Sequence, residues 1–132
     1  MPSKVVSFGK DRLTLDARPD RLDLRDRSYA PRLGNLPSRF PTDEVVRERL
    51  PRYSAAGLVL DQGADGACTG FGLAAVINYL LFSQSIGADP ECKVESVSPA
   101  MLYQLAQLYD EWPGEDYEGS SCRGALKGWH RH

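Results

Sequence analysis

The sequence predicts a largely helical α+β chain built around one buried central helix. Three observations carry this. The run FGLAAVINYLLF (71–82) is apolar on nearly every side, and a helix apolar all round belongs in a core. Ser98-Pro99 supplies a hydroxyl N-cap followed by a proline at the first helical position, the two residues that open a helix. LVLDQG (58–63) has the length and apolar content of a short buried strand entering a turn.

Taken in chain order, residues 1–15 read as a loose or strand-forming leader. Residues 16–57 form an extended segment rich in Pro and Arg. Pro19, Pro31, Pro37 and Pro41 each remove a backbone donor and restrict the residue before them. Within it, TDEVVRER (42–49) predicts a short helix with Thr42 as N-cap and Asp43 and Glu44 in the first turn, stopped by Pro51. Residues 58–132 form the helical unit. The central helix is expected from about Cys68 to Ser83, followed by a break at Gly87–Pro90 and a loop at 91–97 containing Cys92. The Ser98-capped helix should reach about Tyr109, with Met101, Leu102, Leu105, Leu108 and Tyr109 at core spacing. An acidic loop follows at 110–118. Ser120 or Ser121 then caps a last helix in which Leu126 and Trp129 face inward. That helix runs into His132 with no Gly or Pro stop, so the chain reads as cut rather than finished.

Composition removes several function classes. The chain has 132 residues, 42% apolar and 26% charged, which is one globular domain or part of one. No run of about 18 apolar residues is present, so no membrane partner is expected. The N-terminus has no apolar stretch of secretory-signal length. Three cysteines are too few for a disulfide scaffold, which points to a reducing, cytoplasmic setting. Residues 1–53 carry a net charge of +4 and residues 54–132 a net −6. The bases of the first part alternate with acids (Asp20, Arg21, Asp23, Arg25, Asp26, Arg27), which describes a salt-bridged surface and not a nucleic-acid arm. There is no phosphate loop, dinucleotide fingerprint or zinc spacing, so no cofactor and no metal are expected. Cys92 and Cys122 are read as inert thiols rather than a redox pair, and the 110–118 acids as a solvated loop.

The chemistry concentrates in DQGADGACTGF (61–71). Gly63, Ala64, Gly66 and Ala67 allow a tight backbone turn. Cys68 then falls at the N-terminus of the most apolar helix, where unpaired N–H groups and the positive end of the helix dipole favour a thiolate, the reactive form of cysteine. Gln62 brings a side-chain amide to the same place, and an amide N–H beside a nucleophile's own backbone N–H makes an oxyanion hole. A packed, inert structural cysteine is the alternative that the residues alone leave open.

This segment resembles the papain-like (C1) cysteine peptidases, in a bacterial-type branch. The likeness lies in the Gln62-to-Cys68 spacing, the Gly66-Ala67-Cys68 run, and Phe71 and Ala74 along the helix. DARPDRLDLRDR (16–27), SPAMLYQLAQLYD (98–110) and YEGSSCRGAL (117–126) resemble the flanking segments, so the similarity spans about residues 16–132. The resemblance implies the helical half of a papain-like fold, with the β-rich half missing. It implies Cys68 as nucleophile, Gln62 with the Cys68 N–H as oxyanion hole, and Gly66, Gly119 and Ser120 on the substrate-binding wall. The reaction would be hydrolysis of a peptide or protein substrate through an acyl-thioester. Three departures accompany it. Thr69 stands where the family has an aromatic residue. Asp65 stands where it has a disulfide cysteine, and an acid there opposes thiolate formation. The family's His and Asn lie about 130–150 residues past the Cys, beyond this chain's 64 remaining residues. His130 and His132 are expected as exposed helix-end cations, not as the base. The chain is thus expected to be inactive alone and to need its missing C-terminal half or a partner chain. A non-catalytic papain-like binding or regulatory module is the alternative, favoured by Thr69 and Asp65. Leu58, Val59 and the far face of the 71–82 helix should lack part of their packing, leaving apolar surface exposed.

Overall fold

Helices are expected wherever an apolar stripe repeats every third or fourth residue between a cap and a stop, and the computed structural model has four of them among its described residues. It describes residues 4–8, 11–15, 20–26, 30, 41–88, 94–112 and 119–132. The helices are α1 (Asp43–Ala55), α2 (Cys68–Ala88), α3 (Pro99–Leu108) and α4 (Cys122–Arg131). Strands β1 (Lys4–Phe8) and β2 (Asp11–Leu15) pair as one antiparallel hairpin, in a register running from Lys4 opposite Leu15 to Phe8 opposite Asp11. The body is all-α, with α3 packed against both α2 and α4.

The predicted strand at 58–63 is not formed. Leu58 is buried, but Val59 beside it is exposed and the segment is irregular. The reason lies upstream. α1 does not stop at Pro51; it runs to Ala55 with the proline inside it. A proline removes one helical N–H, whereas the actual stop is Gly57 at φ +69°, a left-handed turn that glycine enters without a side-chain clash. The Gly57 N–H donates to the Ser54 carbonyl at 3.0 Å and the Leu58 N–H to the Tyr53 carbonyl at 3.4 Å. These are the two hydrogen bonds of a Schellman closure, which turns Leu58 back under the helix end. Thr42 occupies the N-cap position, though its hydroxyl makes no cap hydrogen bond to the backbone.

α2 extends past Ser83 to Ala88, so Gly87 is helical. It is not buried all round. Gly70, Ala74, Asn78 and Phe82 form the inward stripe, while Val76, Tyr79 and Leu80 face out. Tyr53 of α1 meets α2 edge-on at Phe82 and Tyr79, with ring centroids 5.2 and 6.2 Å apart. Over Cys68–Ile86 the mean hydropathy of 1.2 makes α2 long and apolar enough to cross a membrane. That holds by length and composition only, a test the core helix of a soluble protein also passes, and glycine and polar residues interrupt the run. One of those polar residues is structural: Asn78 is 1% exposed, and its Oδ1 accepts the Val97 N–H at 2.8 Å, tying the approach to α3 onto α2.

α3 starts as expected, with the Ser98 hydroxyl accepting the Met101 N–H and Pro99 in the first turn. Its core residues are Leu102 and Ala106, whereas Met101 and Leu108 are exposed. α4 is capped by Ser121, whose hydroxyl accepts the Gly124 N–H at 3.0 Å. Leu126 and Trp129, expected inward, are exposed; Gly124, Ala125 and Gly128 face the core instead. Small residues win these positions because the helix backbones nearly touch. A Cβ on Gly70 would lie 2.5 Å from the Tyr103 nitrogen, one on Gly124 2.7 Å from the Ala106 carbonyl oxygen, and one on Gly128 2.8 Å from the Leu105 Cβ.

Gly70→Ala should therefore destabilise by about 2–3 kcal/mol, because the intruding methyl meets backbone that cannot move alone. Gly72, two residues on and facing open space, gives the opposite sign: Gly72→Ala should stabilise by roughly 0.5–1 kcal/mol through helix propensity. Urea midpoints of the two variants check this. The outward stripe Val76, Tyr79 and Leu80 should also drive concentration-dependent self-association in sedimentation, relieved by Leu80→Glu. A strictly monomeric chain would contradict that.

Candidate active site

Cys68 is the first residue of α2. A short braced loop sets its position. Asp61 Oδ1 accepts the Gly63 N–H at 2.8 Å, and Gly63 has φ +61°. The Gln62 side chain closes over the next turn, its Nε2 donating to the Asp65 carbonyl at 3.0 Å. Gly66 and Ala67 are buried, and the Phe71 N–H bonds the Ala67 carbonyl at 3.0 Å as the first rung of α2. The sequence thus places a half-buried free thiol at a helix N-terminus. The Cys68 N–H is one of the four that no carbonyl of the helix itself can serve. An amide group has two N–H donors, so Gln62 keeps one beyond the bond to Asp65.

A second wall stands beside it. Thr69, the residue after Cys68, shares a short hydroxyl–hydroxyl hydrogen bond with Ser120, and both are buried. Gly119 is buried beside Ser120. The Ser121 N–H donates to Asp110 Oδ1 at 2.9 Å, and its hydroxyl caps α4. Residues 119–121 are therefore fixed to α2 through Ser120, to the end of α3 through Asp110, and to α4 through Ser121. The Ser120 hydroxyl has a structural task, and Thr69 makes a bond with it that an apolar or aromatic side chain at 69 would not make.

The histidines stand elsewhere. Both are exposed at the C-terminal end of α4, where His132 Nε2 lies 3.1 Å from the Tyr109 hydroxyl. At 1.5 Å rise per residue, α4 separates them by about 15 Å from the end where Ser120 meets Thr69. Neither is placed as a base for Cys68. Cys122 is free and exposed at the start of α4; Cys92, and with it the Cys92–Cys122 pairing, lies outside the described residues. So do residues 113–118 of the acidic loop. Among the described residues no group of three or more His, Cys, Asp or Glu side chains is placed to hold a metal ion.

Sequence reasoning gave Thr69 no partner, read Asp110 and Glu111 as part of a solvated loop although both are hydrogen-bonded and only partly exposed, and passed over Arg123. Only Thr69 left a signal, as a polar residue at the start of an otherwise apolar helix. Arg123 anchors residues 20–26: its N–H donates to Asp20 Oδ1 at 2.9 Å, its Nη1 to the Arg21 carbonyl at 2.9 Å and Glu111 Oε1 at 3.1 Å, and its Nη2 pairs with Asp26. Burial pushes the Glu111 carboxyl up, but hydrogen bonds from the Arg21 N–H, Lys127 and Arg123 outweigh it and hold the group below its ordinary value. Comparison of the chain with protein-family profiles, curated proteins and solved structures gives no match.

If the Thr69–Ser120 bond joins the two walls, Thr69→Val and Ser120→Ala should each cost about 1–2 kcal/mol, since each leaves a buried hydroxyl or a void behind. The double variant should cost clearly less than their sum. Additive losses in urea unfolding would mean that the two hydroxyls do not act as a pair.

Proposed function

We propose that this chain is the nucleophile-bearing helical portion of a papain-like cysteine peptidase. The observation that carries the reading is the placement of Cys68: first residue of the apolar helix, behind a loop closed by Gln62, and joined through Thr69 to residues 119–121. The papain-like arrangement of the whole enzyme is part of the proposal, as is the cytoplasmic setting inferred from cysteine content.

In the proposed reaction the Cys68 thiolate attacks the carbonyl carbon of a peptide bond, forming a C–S bond and placing negative charge on the carbonyl oxygen. The Cys68 N–H and the remaining Gln62 N–H donate to that oxyanion. The amine leaves with a proton from a general acid, and water then hydrolyses the thioester, returning the thiol. Gly66, Gly119 and Ser120, proposed for the substrate wall, are buried, so a substrate strand would have to displace what covers them. The acid–base group is not one of this chain's histidines, because both stand at the far end of α4. A partner segment must supply it, and the chain alone should not turn over peptide.

A second reading, a non-catalytic papain-like module, has one observation in its favour. Thr69 is committed to a structural bond where a catalytic wall would otherwise be. The test is made on the chain combined with the segment that supplies the base. Peptide hydrolysis should be lost in Cys68→Ser, and Gln62→Ala should lower kcat roughly 10²–10³-fold. Cys68 should react with iodoacetamide faster than Cys92 and Cys122. Equal alkylation rates with no hydrolysis would replace the peptidase with the module.

A further inference from the structure

Residues 20–26 lie against the helical body without any apolar anchor. Leu22 and Leu24 are 92% and 95% exposed. The contacts that hold the segment are polar and converge on one place. The Arg21 N–H donates to Glu111 Oε2 at 3.0 Å, and the Arg21 guanidinium covers the Trp112 ring at 4.2 Å. Asp20 accepts the Arg123 N–H, the Arg21 carbonyl accepts Arg123 Nη1, and Asp26 pairs with Arg123 Nη2. Arg123 and Glu111 also pair with each other, and their side chains are only 18% and 10% exposed. The segment keeps its own shape by local bonds. Asp23 takes the Arg25 guanidinium through Nε at 2.9 Å and Nη2 at 2.6 Å, and the Asp26 N–H closes a turn on the Asp23 carbonyl at 2.9 Å.

We propose that residues 20–26 are an electrostatic strap that engages and leaves the N-terminal end of α4 as a unit while the helical body stays folded. The physical ground is the separation of forces. Packing of α2, α3 and α4 is close backbone and apolar contact joined by buried or half-buried hydrogen bonds, which salt screens little. The strap is held by charge, and the screening length falls from about 10 Å at 0.1 M to 3 Å at 1 M salt. Release turns Arg123 and the first N–H groups of α4 toward solvent, three residues from Ser120 and so beside the link to the Cys68 helix. The strap is then a conformational switch on one wall of the candidate site. It does not rest on the peptidase reading, because it concerns contacts that hold whatever Cys68 does.

Two backbone amides report on the contact from its two sides: Arg21, bonded to Glu111, and Arg123, bonded to Asp20. Hydrogen exchange of the full chain, followed by NMR between 0.05 and 1 M NaCl, should show both amides exchanging about tenfold faster at high salt, in step with each other. The amides of Phe71 and Leu102, in the first turns of α2 and α3, should keep their rates. Glu111→Gln should give the fast Arg21 rate already at low salt, with the far-UV circular dichroism unchanged. Salt-independent exchange at Arg21 and Arg123 overturns the proposal. Acceleration that includes Phe71 and Leu102 to the same degree overturns it too, since the strap would then not be a separate unit.

Discussion

The constraint on which the structure depends is the closeness of three helix backbones. Gly70 lets α2 press on the backbone at Tyr103, and Gly124 and Gly128 let α4 press on Ala106 and Leu105 of α3. With side chains there, the helices would stand farther apart and Ser120 would not reach Thr69. The position of Cys68 relative to residues 119–121 thus depends on three missing Cβ atoms, of which the one at Gly124 also leaves room for the Ser121 hydroxyl. It also explains why the largest side chains of α4 point outward: the inner face has room only for Gly and Ala, so Leu126 and Trp129 are displaced to the rim.

Onto this steric framework polar groups add position rather than bulk. Asn78 fixes the approach to α3, Asp110 and Ser121 fix the approach to α4, and Ser120 with Thr69 ties the two together. Each is buried or half-buried with a defined partner. A slip of one segment by a residue would orphan a desolvated group, so the polar set selects one register from those that the apolar packing alone would tolerate.

Much of this was legible in the sequence where local chemistry decides. The Ser98-Pro99 start, a serine cap at 120 or 121 and a central helix beginning at about Cys68 follow from caps and composition. The Gln62 loop follows from Asp61, Gly63 and Gly66. The failures have three origins: the stop of α1, the pairing that a strand needs, and the assumption that apolar residues point inward. Pro51 reads as the stop of α1, but a proline costs one hydrogen bond, whereas the left-handed glycine at 57 redirects the chain. LVL at 58–60 looked like a strand, yet a strand needs a neighbour to pair with and none of the described residues supplies one there. Periodicity places Leu108, Leu126 and Trp129 inward because it counts hydrophobicity and ignores interaxial distance. The Thr69–Ser120 and Arg123 contacts join residues far apart in the chain, and no local pattern announces them.

The attachment of α1 has a thermodynamic consequence of its own. α1 buries none of its residues and meets α2 through the ring of Tyr53. A helix that hides so little surface adds little to the heat-capacity change of unfolding and shares little of the cooperativity of the other three. Heating the chain should therefore melt α1 ahead of the α2–α3–α4 unit. The calorimetric enthalpy would then exceed the van't Hoff value, and a single melting temperature would describe the three-helix unit rather than the whole molecule.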